Sequence, residues 1–548
     1  MAGPAGLLTG AARRARGIAV NAAGGPARAR VVITLAAVLG LDGADTGTVT
    51  ATENNLERAF HIGNAEIGIL LSVVSLVGVV FAIPMGVLAD RANRARLLTF
   101  SIVLWAVAVA LCGAAPSFAW LLAARVGLGV VTATAAPVVA SLTGDFFPAA
   151  ERGRMFGLIL AGDLIGNGVG YVISGDISSV LPWRFAFWWL VVPSLALAWT
   201  VRRLPEPARG GQSQLQPGAQ EIRGARDGSE QAPPAAGGPA GNGTQDSLAV
   251  REARRAHLQP QPELVLREDP TRYSTWWAIR YVLRVRTNVV LIVASAIGYF
   301  YFKGMDSFAT IFAISRYGIS KPEATFLVVV VGAGALAGVY AGGLFADRLL
   351  RRGHVRARVV IPIACLLSIP LFLGPAFAVT SAAIALPLLI IGAFLLGAPQ
   401  PPLDAARLDI MPAQLWGRAE GVRTALRTLA EAAAPTLFGY MSQYVFGGPG
   451  ASGSGAPGGA GPGGTLSPAG ATALADTFLV FLGLLVIAGL LALLALKTYP
   501  RDLATAAASA EAIAAGERTD GSAAAEASPG TAAGRQPADD HHGSGEHG

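Results

Sequence analysis

The sequence predicts an all-α membrane protein of twelve transmembrane helices, arranged as two six-helix, pseudo-symmetric bundles. Three observations carry that reading. The 548 residues are 53% hydrophobic and only 14% charged, with a mean hydropathy of +0.50, the composition of a polytopic membrane protein. Apolar stretches recur along the chain, each long enough to cross a hydrocarbon core of roughly 30 Å at about 1.5 Å per residue. Finally, GVLADRANRAR at 86–96 returns as GGLFADRLLRR at 342–352, each time directly after the second apolar stretch of its half. Two six-span halves related by a repeat form the architecture of secondary transporters, with a site near the midplane where the halves meet.

A basic segment, 1–30, with Arg13, Arg14, Arg16, Arg28 and Arg30, precedes the first span. That span has no small-residue cleavage site after it, so it reads as a retained helix rather than a signal peptide. The first bundle, 31–203, holds spans at 31–52, 66–89, 96–115, 118–143, 154–176 and 183–201. Residues 204–274 are rich in Pro, Gly, Gln and Ser and are predicted to be a disordered linker, because they cannot bury enough apolar surface to fold. In 275–287, TWWAIRYVLRVRT, aromatic Trp276, Trp277 and Tyr281 mix with Arg280, Arg284 and Arg286, as in an amphipathic helix at headgroup level. The second bundle, 288–500, holds spans at 288–314, 324–346, 357–377, 381–402, 416–445 and 472–497. A Gly/Pro-rich insert at 447–470 precedes the last span, and the Ala- and Gly-rich tail, 501–548, is predicted to be disordered.

The net charge of +7 is a matter of topology. Arg91, Arg94 and Arg96 follow span 2, Arg152 and Arg154 follow span 4, Arg202 and Arg203 follow span 6, and Arg348, Arg351, Arg352, Arg356 and Arg358 follow span 8. With alternating spans these loops share one side, and the positive-inside rule places that side, the linker and both termini in the cytoplasm of a cell bounded by its plasma membrane. No nucleic-acid partner is expected. Cys112 and Cys365 sit in apolar segments of different halves, so neither a disulfide framework nor a metal site is suggested. Phosphate loops, zinc spacings and nucleophile elbows are absent from the sequence, which argues against an enzyme, a cofactor or an ATP-driven pump.

The informative residues are the charges inside the spans, where an ionisable side chain costs several kcal/mol and marks a functional site by default. Asp45 in span 1 and Arg125 in span 4 fall at matching depths: roughly 21 Å from the inner face and roughly 10 Å from the outer face of a core about 30 Å thick. They are expected to pair, either as a proton-coupling carboxylate with its partner or as a static pair that fixes helix register. Asp42, three residues earlier, shares that face and is a second proton site or a cavity residue. Span 7 carries Lys303 and Asp306, which neutralise one another at i, i+3 or face the cavity. Span 11 carries Arg423, Arg427 and Glu431 on one face, an arginine stripe suited to a phosphate or carboxylate, or a basic helix end with Arg427 paired to Glu431. Asp163 and Asn167 of span 5 are further cavity candidates.

The repeated Gly-x-Leu/Phe-Ala-Asp-Arg motif resembles the signature of the major facilitator superfamily. That resemblance implies a conformational latch made by Asp90, Arg91, Arg94, Asp347 and Arg348; a solvated loop supplying only positive-inside charge is the plainer alternative. Within the superfamily, residues 35–205 look most like the spinster branch of lipid-associated transporters. Asp45, Arg125 and the run GDFFPAAERGRMFG match its motifs, whereas Thr46 and Thr132 depart from its usual arginine and glutamate. The resemblance implies a monomeric secondary transporter that moves a small organic or amphipathic, anionic or lipid-like solute through the bilayer with protons. A non-transporting receptor on the same scaffold is the rival class.

Overall fold

The computed structural model describes residues 23–62, 64–209, 259–446 and 466–526. The first half runs α1 (Pro26–Phe60), α2 (Asn64–Arg91), α3 (Arg94–Gly113), α4 (Phe118–Thr132), α5 (Ala135–Phe146), α6 (Arg152–Val180) and α7 (Phe185–Val201). The second runs α8 (Thr275–Arg284), α9 (Arg286–Tyr317), α10 (Lys321–Arg351), α11 (Ala357–Ala378), α12 (Ala382–Gly397), α13 (Gln400–Asp409), α14 (Trp416–Tyr440) and α15 (Pro468–Glu526). Among the described residues ten stretches are long and apolar enough to cross a bilayer. Two further helices complete the two sets of six. One is α7, apolar but 17 residues long. The other is α14, whose Arg418, Glu420, Arg423, Arg427 and Glu431 depress its hydropathy.

Local signals set many of the helix ends. Asn93 caps α3 by accepting from the Arg96 N–H at 2.8 Å, and Ser117 caps α4 by accepting from Trp120. Ser320 and Glu323 form a capping box on α10, and α9 stops at Gly318 with φ of 65°.

Several boundaries differ from the sequence expectation. Helix α1 extends beyond 31–52 at both ends and takes in residues 26–30 of the basic segment; Pro26 sits at its start, where a missing N–H costs nothing. Span 4 is two helices, α4 and α5, broken at Ala133 and Thr134. Span 10 is likewise α12 and α13, broken at Ala398 and Pro399. The tail from 501 is not disordered as far as Glu526, since α15 continues unbroken through it. Its Ala-rich composition, read as low complexity, is that of the strongest helix former. Asp502, Thr505 and Ser509 on this extension are buried.

They are covered by the end of the linker, 259–274, which is ordered rather than disordered. Its backbone N–H groups at Gln261 and Leu266 donate to Thr505 Oγ1 at 2.9 Å and Ser509 Oγ at 3.0 Å. Helix α8 is amphipathic, burying Ala278, Tyr281 and Val282 while leaving Trp276 exposed. The remaining linker (210–258), the 447–465 part of the outer insert, residues 1–22 and residues 527–548 lie outside the described residues.

Each half has its own apolar core. In the first, α1 and α6 meet along a seam of small residues: a Cβ on Gly166 would stand 2.6 Å from the Cα of Gly40, and one on Gly43 would stand 2.9 Å from the Asn167 nitrogen. Such close backbone approach is how helices pack where lipid offers no hydrophobic drive. The second half has a like seam between α10 and α12, where a Cβ on Gly338 would stand 2.7 Å from the Phe394 carbonyl carbon, and adds an aromatic cluster of Phe300, Tyr301, Phe438, Phe478 and Phe481, with Phe438 against Gly304. A third cluster, including Phe156, Val282, Ile410 and Trp416, joins the halves at the arginine-rich end.

Candidate functional site

Two junctions close the arginine-rich end, and both are built the same way. Asp90, at the end of α2, accepts from the backbone N–H of Gly417 at 2.7 Å and Arg418 at 3.0 Å, in the first turn of α14. Asp347, near the end of α10, accepts from Gly153 at 3.2 Å and Arg154 at 2.6 Å, in the first turn of α6. Each aspartate therefore caps a helix of the opposite half, satisfying orphan N–H donors and meeting the positive end of the dipole. Glycine is required at the receiving position: a Cβ would stand 2.5 Å from the Asp90 carboxylate at Gly417 and 2.8 Å from that of Asp347 at Gly153.

The other residues of this region divide. Arg94 is fully buried and ion-paired with Asp145 and, at 2.7 Å, with Glu206. Among the described residues Arg91 forms no ion pair with Asp90; it donates to the carbonyls of Thr271 at 2.9 Å and Tyr273 at 3.2 Å. Arg418 reaches the Thr271 carbonyl from the other half, at 3.2 Å. Arg348 is exposed, and the role expected of it falls to Arg358, which is buried between Asp347 and Asp409. Asp409 also receives Arg152, across the halves at 3.3 Å, and the Tyr499 hydroxyl at 3.0 Å.

Sequence reasoning missed Asp145, Arg358, Asp409 and Arg152. A signal was present: DFFPAAERGRMFG at 145–157 and DIMPAQLWGRAEG at 409–421 share Asp, Pro-Ala, Gly-Arg and Gly at identical spacing.

Deeper in, Asp45 and Arg125 form a direct ion pair, with relative exposures of 3% and 2%. The other carboxylate oxygen of Asp45 has no hydrogen-bond partner among the described residues. Asp42 is exposed, and the charges acting on it include Asp163 of α6 and Arg427 of α14, so it faces the cleft between the halves. Asp163 in turn lies in the field of Arg427, Glu431 and Lys303, and Asn167 is exposed one turn further along α6. Lys303 and Asp306 pair at 3.3 Å. Arg427 pairs with Glu431 at 3.1 Å while its guanidinium lies 3.9 Å over the Tyr299 ring.

Arg423 departs from the arginine-stripe expectation. It is buried in a network with Glu420, at 3.0 and 3.1 Å from its Nε, and with Asp404 at 3.7 Å. Arg407 joins the same network through Glu420 at 3.0 Å and Asp404 at 2.7 Å. Two arginines and two carboxylates balance there, so Arg423 is no free cation facing the cleft.

The Major Facilitator Superfamily family model matches residues 35–435. The chain belongs to that superfamily. It is accordingly a multi-pass membrane protein of a transporter family. Similar curated proteins include the niacin transporter of Acinetobacter baylyi, 28% identical over 177 residues, or 32% of this chain and 40% of that one. Protein spinster of Drosophila melanogaster is 24% identical over 167 residues, or 30% of this chain and 28% of the fly protein. The matched region thus spans well under half the length of these relatives.

Among solved structures, a bacterial homologue of the human lysosomal transporter Spinster, inward-facing and occupied, covers 87% of this chain and 98% of its own, at 20% identity and a TM-score of 0.51. The human organic anion transporter MFSD10 covers 85% and 100%, at 18% identity and a TM-score of 0.55. These likenesses establish the fold.

Proposed function

We propose that the protein is a proton-coupled secondary transporter that carries a small organic or amphipathic solute across the plasma membrane by alternating access, with the arginine-rich end in the cytoplasm. The paired aspartate caps carry this reading. A closure made of two discrete, symmetric sets of hydrogen bonds can be released and remade as a unit, which alternating access needs; a scaffold that only displays a surface has no use for it. The Asp45–Arg125 pair, buried and isolated at mid-helix, supplies a carboxylate that can trade an arginine partner for a proton when the helices shift. Transporters of niacin and, in name, L-galactonate among the similar proteins support a small organic solute.

Proteoliposomes with an imposed pH gradient, screened over lysolipids, organic anions and organic cations, test the proposal. Gradient-dependent uptake of at least one class is expected, lost in Asp45→Asn while exchange of bound substrate partly survives. Transport by Asp45→Asn at the native rate and with the native pH profile would remove Asp45 from coupling.

A further inference from the structure

Helix α8 lies where a span begins. Only Val285 separates its last residue, Arg284, from Arg286, the first residue of the apolar helix α9. Its two faces differ. Ala278, Tyr281 and Val282 turn into the apolar cluster that also holds Leu264 of the linker end and Trp416 and Val422 of α14. Trp276, Arg280, Leu283 and Arg284 share the opposite face at i, i+4, i+7 and i+8 and are exposed, Trp276 to 73% and Leu283 to 44%. No acidic residue occurs in 275–287. Glu263 reaches Arg284 at 3.3 Å, but both side chains stay mostly exposed, and such a pair is weak.

A face on which an indole and a leucine interleave with two guanidinium groups, one residue from a span, is complementary to an anionic lipid surface. The arginines meet the uncompensated phosphate charge while the indole and the leucine enter the acyl boundary. A soluble acidic partner would satisfy the arginines but offer Trp276 and Leu283 no hydrocarbon. The inner face ties this surface to the closed end. The Tyr281 hydroxyl donates to the Leu264 carbonyl at 2.9 Å, and the Trp277 ring stacks on Tyr281 at 5.4 Å and meets Tyr273 at 4.4 Å. Two residues before Tyr273, the Thr271 carbonyl accepts from Arg91 of the first half and Arg418 of the second. Helix α8 and the segment that bridges the halves are therefore one packed unit.

We propose that the outer face of α8 binds anionic phospholipid, and that lipid held there favours the closed state of the arginine-rich end. Native mass spectrometry of the purified full-length protein, offered phosphatidylglycerol and phosphatidylcholine in equal amounts, reads the binding. Each arginine near an anionic surface is worth roughly fivefold in affinity, so phosphatidylglycerol should be retained in at least about fivefold excess. Arg280→Gln with Arg284→Gln should abolish the excess, and Arg280→Lys with Arg284→Lys should keep it. Both arginines are exposed, so neither exchange disturbs the core.

Closure is read by maleimide labelling of a lone cysteine replacing Val422, which is buried in the same cluster as the inner face of α8. In nanodiscs, adding phosphatidylglycerol to phosphatidylcholine should slow labelling by about fivefold, and the double glutamine variant should not respond. Equal retention of the two lipids, or an excess that survives in the glutamine variant, removes the site. Selective retention with an unchanged labelling rate removes its link to closure. Slowing by inorganic phosphate in neutral nanodiscs would assign the face to a free anion and overturn the lipid assignment.

Discussion

The carboxylate of Asp90 and the backbone N–H of Gly417 lie 2.7 Å apart although 327 residues separate them in sequence, and Asp347 repeats the contact with Gly153. The closed end is held by aspartates seated on helix starts. Asp90→Asn and Asp347→Asn should each cost about 1–2 kcal/mol of that closure, a factor of roughly 5 to 30 in the ratio of closed to open molecules. A lone reporter cysteine replacing Val422, which is buried in the apolar cluster that joins the halves, should then react with maleimide faster by a comparable factor, while substrate affinity persists and turnover falls. Lost affinity with an unchanged labelling rate would contradict the role.

Asp45→Asn leaves Arg125 charged and buried without its counter-ion, at a cost of about 3–5 kcal/mol. Replacing both partners, as Asp45→Asn with Arg125→Gln, removes the orphaned charge. The single variant should melt below the double, and the reverse order in a thermal scan would show that the pair is not what stabilises this part of the bundle.

The glycine seam makes a contrast within one helix. Gly166→Ala would push a Cβ to 2.6 Å from the Gly40 Cα, whereas a Cβ at Gly168 meets nothing within 4 Å. The first should cost about 1–3 kcal/mol through overpacking, and the second should be near neutral. Equal melting temperatures would mean that α1 and α6 are not packed as closely as described.

Residues 259–274 act as a strap over the closed end, because the Thr271 carbonyl receives Arg91 from one half and Arg418 from the other. Arg91→Gln should raise labelling of the same Val422→Cys reporter by a fewfold, less than Asp90→Asn does. No change would show that the strap rides on the closure without contributing to it.

Sidedness has its own test. Ser179 and Arg348 are exposed at opposite ends. In intact cells an impermeant maleimide should label Ser179→Cys and spare Arg348→Cys, and the opposite pattern would invert the proposed topology.

Helix number and the two halves were legible because lipid imposes long apolar runs, and because the Asp90 and Asp347 motifs repeat. Asp45 with Arg125 was legible from depth alone. The Asp404, Arg407, Glu420 and Arg423 network was not, since its members come from α13 and α14 and read in sequence as a loop and a basic helix end. Arg358 was passed over for Arg348 because adjacency in a motif says nothing about which arginine the fold turns inward. The α12–α13 break was signalled by Pro399, Pro401 and Pro402, yet proline at a helix start looks in sequence like the end of one. The extension of α15 was hidden by composition, as alanine serves both tails and helices.

The two caps also bear on how such a chain arises. Each half contributes one carboxylate and one helix start, and each receives the same pair in return. A lone six-helix unit carrying one aspartate and one Gly-Arg helix start would make both contacts at once by meeting a copy of itself across a two-fold axis, as isologous dimers do. Because main-chain N–H groups receive the carboxylates, each cap asks of the receiving helix only a glycine that leaves the carboxylate room, at Gly153 and at Gly417.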